Sequence, residues 1–571
     1  MPHVMRRRRG RDARHAARAW LARAWPPVDV RAARRLRAAL FAALVIAPPV
    51  SPLAAAPAGE AAAGEHVGPY AASDFIVTTG RASAIQPAAA WYFADEYIAT
   101  PRAELAVTSI TPGMRAIDDV TRAARAHVAP GWPPMVWVGS TQILRDARMA
   151  ADGGTIEAGG ATLRLALVPK LALNRSWFDA SSARFAAARP LTLRGERAGD
   201  AFVLRALWPQ DFAVDATLAP SPLPAAATPQ LAIRALMRAT PDGGAREPFA
   251  ATLVHRRDGA PPTFDGKPVL VVIVNGAQGD DDEAHGGHFA IGTGVIGAGG
   301  AIGDILINNF YSLDLVSEKG ILAAPTPLDR YLGDLNSGQG WYRPSFLAVV
   351  VLDDAQVTRD VQDAFNRMYV QFWRHQLVYQ HATMNCTGIS VDTLRALGLP
   401  VPARGAASRV EAWLGIPYAL VKFRSLARAR FTYEYLTEDV TRLLPAAAFE
   451  DTLAVLLRLA REGARDGDGA LARRLATDIV AIEVLRIPQW PSSRRFGSWP
   501  VVTPDEYFAR LPRDAADIET VPVPPREFPA ALRDADLLPP PARRSDVPLF
   551  AFAGLVAIVA GYALRVIRRL L

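Results

Sequence analysis

The chain has 571 residues, half of them apolar, and a formal net charge of +8, so it is long enough for several folded units and has a globular composition. The charge is concentrated at the N-terminus. Residues 1–37 contain twelve arginines and two aspartates, a net of +10, which leaves −2 for residues 38–571. Because the body of the chain is nearly neutral, no large basic surface is predicted and nucleic acid is not an expected partner.

The two ends of the chain predict an envelope protein. Residues 1–58 run from a basic region through an apolar stretch to small residues, which is the order of a leader and secretory signal; an uncleaved anchor is the alternative. Residues 547–564 carry no charge and three arginines lie in residues 565–571, so we predict one transmembrane helix with a cytoplasmic tail. A buried core helix is the alternative there. The bulk of this single-pass protein is then expected in the periplasm, anchored in the cytoplasmic (inner) membrane.

Patterning divides the middle of the chain. Hairpins are predicted in residues 155–168, turning at Gly159-Gly160, and in residues 191–208, whereas residues 231–239 resemble a strand. Prolines among alanines mark a linker, and a second Pro-rich stretch near the C-terminus is typical of an extended tether. We therefore predict a β-rich accessory domain (69–217), a linker (218–230), an α+β domain (231–429), a helical appendage (430–487) and a tether (488–546).

The only cysteine, Cys386, lies where a helix is predicted to begin. Unpaired backbone N–H groups and the positive end of the helix dipole favour a thiolate at such a position. A lone cysteine can equally be a small buried apolar residue, so a catalytic role requires a base elsewhere. The helix itself is indicated by apolar residues at helical spacing and a glycine stop: Ile389, Val391, Leu394, Leu397 and Gly398.

His288 is the candidate base. It opens a short predicted strand, and the following strand could place Asn308 or Asn309 beside the imidazole. Thiol catalysis needs an imidazole to take the proton and return it to the leaving group, and a third polar group to orient the ring. Cys386, His288 and Asn309 suit these roles. His285 is the competing base, and the remaining histidines are expected to be ordinary packed or solvent-facing residues: His255, His375 and His381.

An acidic segment, residues 280–283, offers a rival interpretation. Together with His285 and His288 its carboxylates could bind a divalent cation. The spacing matches no metal motif, so a solvated acidic loop is expected instead. We predict neither a metal nor another cofactor.

The order of these elements resembles a known group of enzymes. His288-Phe-Ala-Ile-Gly with a downstream Asn385-Cys386 looks like the permuted NlpC-type papain-like hydrolases, in which histidine precedes cysteine. A closer resemblance is to the Lnb N-terminal periplasmic domain family, over about residues 269–399. It rests on four short elements in order: Gly287-His288-Phe289, Asn309-Phe310, Tyr331-Leu332-Gly333 and Asn385-Cys386-Thr387.

The resemblance implies that residues 231–429 form a permuted papain-like catalytic domain. The expected chemistry is acyl transfer or hydrolysis through a thioester on Cys386, with His288 as base and acid, Asn309 orienting the ring, and helix-start N–H groups stabilising the oxyanion. The acyl source would be a membrane lipid or lipoprotein. The wider group also implies a peptidoglycan amidase or endopeptidase. A non-catalytic binding or assembly protein of the envelope is the third hypothesis.

Overall fold

The computed structural model describes residues 65–79, 96–102, 114–126, 135–170, 177–239, 248–276, 287–310, 324–341, 343–373, 376–406 and 408–492. Several predicted features lie outside these residues: the leader, the transmembrane helix, the cytoplasmic tail, most of the tether, the acidic segment, His285 and His375. Within the described ranges, no helix combines the length and apolar character that crossing a membrane requires. The described part has a mixed α+β architecture, as predicted.

Two small antiparallel sheets come first in the chain. Strands β1 (His66–Val67) and β2 (Tyr70–Ala71) form a pair. A three-stranded sheet consists of β3 (Phe75–Thr79), β4 (Tyr97–Pro101) and β5 (Val136–Trp137), with helix α1 (Ala116–Arg125) between the last two in sequence.

The next 70 or so residues form a closed barrel, in the strand order β10-β8-β7-β6-β9. Both predicted hairpins are confirmed, and Gly159 and Gly160 turn the first with φ values of 57° and 78°, which side chains with a Cβ rarely adopt. The barrel segment consists of β6 (Gln142–Met149), β7 (Thr155–Ala158), β8 (Ala161–Leu167), α2 (Ala180–Ala187), β9 (Leu191–Ala198) and β10 (Ala201–Pro209).

A seven-stranded antiparallel sheet forms the centre of the protein, in the order β11-β17-β16-β12-β13-β14-β15. Every residue of β12 and β16 is buried, and alternate residues enter two different hydrophobic cores, one on each face. The strands are β11 (Ala250–Arg256), β12 (Pro268–Asn275), β13 (His288–Val295), β14 (Leu306–Asn308), β15 (Thr326–Pro327), β16 (Ser345–Leu352) and β17 (Ile479–Ile487).

Helices cover one face of this sheet and the barrel lies against the other. Buried ion pairs fix the barrel to helix α4 and to the loop that follows it, with Arg194 2.7 Å from Asp329 and Arg205 2.7 Å from Asp334. The helices are α3 (Pro229–Met237), α4 (Leu328–Gly333), α5 (Ala355–Trp373), α6 (Cys386–Ala396), α7 (Arg409–Phe423), α8 (Leu426–Thr437), α9 (Val440–Leu443), α10 (Pro445–Glu462) and α11 (Ala470–Asp478).

The strand expected in residues 231–239 is wrong, because this segment belongs to helix α3. The helix begins inside the predicted linker, where the Thr228 hydroxyl accepts from the Leu231 N–H and Pro229 occupies the first turn. A threonine cap followed by proline is a strong helix start. Ile233 and Met237 face the core from this helix, whereas Leu231 is exposed.

The prediction that residues 430–487 form only helices is also wrong. Helices α9, α10 and α11 do lie there, but β17 follows them and occupies an internal position between β11 and β16. Its β-branched, almost wholly buried sequence suits a strand covered on both faces. The segment is therefore part of the central sheet, and it is not an appendage.

The predicted tether begins with residues that are packed against the folded protein. Trp490 is only 1% exposed, and its ring lies 5.7 Å from that of Trp341 and 6.2 Å from that of Phe212. Its backbone N–H donates to the Gly340 carbonyl over 2.8 Å. Residues 488–492 therefore belong to the core contacts between barrel and sheet.

Candidate active site

Cys386 is the first residue of helix α6, at the helix entrance that the sequence predicts. Asn385 caps the helix: its side-chain oxygen accepts from the Gly388 N–H at 2.8 Å. Its amide nitrogen donates to the carbonyls of His381 and Leu443 at 3.2 and 3.3 Å. With three contacts on one short side chain, the position of the thiol is closely fixed, and only 5% of Cys386 is exposed.

His288 opens β13 and is buried beside Asn309, which follows β14. The distance from Nε2 of His288 to Oδ1 of Asn309 is 2.6 Å. An amide oxygen only accepts, so Nε2 is the protonated nitrogen in this pairing and Nδ1 is left for the thiol proton. Asn308, the other candidate, instead donates to the Ile291 carbonyl and to Gln362 at 3.2 and 3.0 Å.

The thiol and the imidazole act on each other electrostatically. Burial opposes ionisation of Cys386 and by itself raises the pKa. The charge of His288 outweighs burial, together with hydrogen bonds to Cys386 from that side chain, the Phe289 N–H and the Thr387 hydroxyl, so the pKa of the thiol falls to about 6. The imidazole therefore favours the thiolate, which is the nucleophilic form of cysteine.

Tyr369 of helix α5 holds the backbone of Asn309. Its hydroxyl accepts from the Asn309 N–H over 2.5 Å and donates to the Asn309 carbonyl over 2.9 Å. The Tyr369 ring also stacks on Phe310, with centroids 4.3 Å apart. Since the N–H and the carbonyl of Asn309 are both hydrogen-bonded, the backbone is fixed at the residue whose side chain contacts His288.

A buried amide network ties the same strands to helix α5. Gln362 accepts from the Thr293 hydroxyl over 2.5 Å and exchanges hydrogen bonds with Asn308, and it donates to Asn366 over 2.9 Å. Buried polar groups of this kind are costly unless every one is paired. Gln362 of α5 thus favours one register of β14 against β13, and in that register Asn309 lies beside the imidazole.

Polar residues also gather at the ends of the strands beside His288. Asn275 is the register partner of both His288 and Ser345, and its amide donates to the Ser345 hydroxyl over 2.7 Å. The Tyr331 hydroxyl donates to the Asn275 side-chain oxygen, and the Tyr331 ring lies 6.4 Å from the imidazole. The sequence interpretation missed Asn275 and Ser345, although each stands at one end of a fully apolar buried strand.

Tyr379 is a third residue that the sequence interpretation missed. Its hydroxyl accepts from the backbone N–H of Cys386 at 3.4 Å, and its ring lies 5.3 Å from that of His381. This N–H is the helix-start donor expected to stabilise an oxyanion. A substrate oxygen that replaces this contact can accept from both the N–H and the Tyr379 hydroxyl, because a phenol donates as well as accepts. No local pattern in the sequence points to this contact.

The described residues contain no group of three or more metal-ligating side chains. The acidic segment considered as a cation site is not among them. The described site brings together a thiol, an imidazole and an amide, which are the groups that thiol-dependent acyl transfer uses.

Comparison with known proteins gives no relative: no protein family, no curated protein and no solved structure matches this chain. The geometry around Cys386 is therefore what indicates a function for this chain.

Proposed function

We propose that this protein is an envelope thiol acyltransferase or hydrolase in which Cys386 attacks the acyl group of a membrane lipid or lipoprotein. The observation that carries the proposal is that His288 interacts both with the Cys386 thiol, whose pKa it lowers to about 6, and with the side chain of Asn309. The arrangement also supports a permuted papain-like fold, since a cysteine at a helix start faces a histidine on an adjoining sheet.

The chemistry follows from the groups present. The Cys386 thiolate attacks the acyl carbonyl carbon, and the oxyanion that forms is held by the Cys386 N–H and the Tyr379 hydroxyl. The His288 imidazolium gives its proton to the leaving oxygen or nitrogen, the bond to the leaving group breaks, and a thioester remains. Water or an acceptor hydroxyl or amine then attacks the thioester while His288 takes its proton, and the thiolate is released.

Asn309 keeps the imidazole in the tautomer and orientation that these proton transfers need. Its oxygen binds the Nε2 proton in both the neutral and the charged ring, so Nδ1 remains directed to the thiol. The asparagine does not exchange a proton itself. It is a positioning residue in this scheme.

The uncharged C-terminal segment, residues 547–564, supports a lipid or lipoprotein as the acyl source, because it would keep the site beside a bilayer. Peptidoglycan amides remain the alternative substrate, since the same chemistry cleaves them. A non-catalytic envelope protein is the remaining hypothesis.

The direct test uses the single cysteine. Membranes containing the intact protein are treated with a thiol-directed acyl-lipid probe, and Cys386→Ala serves as the comparison. Labelling and hydrolysis of a soluble thioester should occur with the native protein and be lost in the variant. If Cys386→Ala keeps full activity, the proposed thiol mechanism is wrong.

A further inference from the structure

Helices α7 and α8 form a hairpin with an unusual distribution of apolar side chains. Among the described residues, eight large apolar side chains are exposed, and five of them lie on this hairpin. Val421 is 80% exposed, Val410 70% and Leu414 66%. A concentration of this kind marks an interaction surface, since apolar residues exposed singly are scattered over a protein.

Four exposed apolar residues of α7 form one stripe. They are separated by four, three and four residues, which places them on a single face of the helix: Val410, Leu414, Pro417 and Val421. Trp413 adjoins this stripe and is 42% exposed. The opposite face of the helix packs on α8 and consists of small or apolar residues: Ala412, Gly415, Ile416 and Ala419. The helix is thus apolar on both faces, and only one is covered by α8.

Cations surround the turn of the hairpin. Lys422 and Arg424 are exposed, and Arg428 lies 5.6 Å from the Phe423 ring. Residues 408–437 contain five basic and two acidic side chains, a net of +3, in contrast to the nearly neutral body of the chain. An apolar stripe bearing tryptophan, with basic residues beside it, has the chemistry of a helix that lies in the surface of an anionic bilayer.

The base of the hairpin is tied to the nucleophile helix. Arg442, in α9 directly after the hairpin, binds the Asp392 carboxylate of α6 at 2.8 and 3.0 Å and donates to the Thr383 carbonyl at 3.1 Å. Val378 is a further exposed apolar residue, 52% exposed, and it directly precedes Tyr379, which contacts the Cys386 N–H. The base of the hairpin is therefore linked through Arg442 to the helix that begins at Cys386.

We infer that the α7–α8 hairpin docks on the surface of an anionic lipid bilayer and holds the Cys386 site close to it. The basic turn complements anionic headgroups, and the stripe with Trp413 enters the boundary between headgroups and acyl chains. The sequence beyond the described residues leads to the uncharged segment 547–564, which would bring the same bilayer within reach. Docking itself does not require the thiol chemistry. Only its use in presenting a lipid or lipoprotein acyl group rests on the proposed function.

The test places a reporter on the stripe in the full-length chain. In a Cys386→Ala background, Leu414→Cys carries an environment-sensitive fluorophore, and Thr162→Cys on an exposed barrel position of β8 is the matched control. The proteins are reconstituted in vesicles of phosphatidylcholine with one third phosphatidylglycerol. The fluorophore at position 414 should shift to the blue and be quenched by nitroxide-bearing lipid chains, while the one at position 162 stays in water and is quenched by iodide.

A second pair of variants tests the charge complementarity. Lys422→Glu with Arg424→Glu should remove most of the blue shift at position 414, whereas Arg164→Glu with Arg197→Glu, an equal charge change on exposed barrel positions, should leave it unchanged. In vesicles of phosphatidylcholine alone the shift should be several-fold smaller.

Two results would overturn the docking proposal. One is iodide quenching at position 414 as strong as at position 162, which leaves the stripe in water. The other is protection from iodide without quenching by lipid nitroxides, which means that protein covers the stripe, either residues 547–564 or a second copy of the chain. Because the reporter proteins lack the thiol, these outcomes are independent of whether the intact protein cleaves acyl groups.

Discussion

The side-chain oxygen of Asn309 lies 2.6 Å from Nε2 of His288; His288 opens β13, and Asn309 directly follows the neighbouring strand β14. The immediately preceding asparagine, Asn308, binds Gln362 instead. These two adjacent asparagines thus have different partners, so substitutions of Asn309 and Asn308 form a matched pair.

Asn309→Ala should lower kcat because the imidazole loses its orienting acceptor. We expect a loss of kcat on the order of 10–100-fold. Each of the two substitutions should lower the free energy of unfolding by about 1–3 kcal/mol, because Asn309→Ala leaves the buried Nε2–H of His288 without its acceptor and Asn308→Ala leaves Gln362 without buried partners. Asn308→Ala should leave kcat nearly unchanged, because Asn308 does not contact the imidazole. Steady-state kinetics and urea denaturation of both variants check this. An Asn308→Ala protein that is the more catalytically impaired of the two would reverse the assignment.

Cys386→Ser and His288→Ala should each reduce turnover of a soluble thioester by at least about 10³-fold, and the double variant should be little worse than either. The reason is that the two side chains act as one nucleophilic unit, which is disabled by the first loss. Circular dichroism checks that the fold persists. Multiplicative losses in the double variant would show that the residues act independently.

The thiolate population predicts the pH dependence of labelling. Since the pKa of Cys386 is lowered to about 6, its alkylation by iodoacetamide should rise with pH and reach half of its maximum near that value. In His288→Ala the burial that opposes ionisation remains without the imidazole, so the midpoint should move above the ordinary thiol value of about 8.5. Rates measured from pH 4 to 10 decide this. Equal midpoints in the two proteins would show that His288 does not lower the pKa of the Cys386 thiol.

Tyr379→Phe removes the hydroxyl that contacts the Cys386 N–H. If this hydroxyl helps to stabilise the oxyanion, kcat should fall by up to about 10²–10³-fold while KM changes little. Alkylation of Cys386 should keep its native midpoint, because the pKa of the thiol is set by burial, His288, the Phe289 N–H and the Thr387 hydroxyl. A normal kcat with lower thermal stability would assign the contact a structural role alone.

Removal of residues 547–571 distinguishes the possible substrates. Turnover of a short soluble thioester should be unchanged, because every described site residue is retained, whereas turnover of acyl lipid in vesicles should slow sharply through lost effective concentration. Both rates are measured on the intact and shortened proteins. A shortened protein that digests peptidoglycan fragments as fast as the intact one, with neither acting on vesicle lipid, would favour the cell-wall alternative.

Local signals in the sequence were sufficient for the features that depend on neighbouring residues. The apolar spacing after Cys386 and the stop at Gly398 predict the helix that begins at Cys386, and paired glycines predict the turn at residues 159–160. His288 and Asn309 could be named as candidates because each lies at an end of an apolar strand. The strand expected at residues 231–239 is wrong because its apolar residues also fit a helix, which the Thr228-Pro229 start signal favours.

Only the tertiary structure decided the contacts between residues distant in the chain. Strand β17 pairs with β11 more than 200 residues earlier, and no local pattern encodes that partner. The choice of Asn309 over Asn308 depends on the register of β14 against β13 and on Gln362 from helix α5, and the approach of Tyr379 to the Cys386 N–H depends on the path of the preceding loop. Residue type and periodicity thus determined which groups were available for chemistry, whereas strand pairing and packing determined which of them meet.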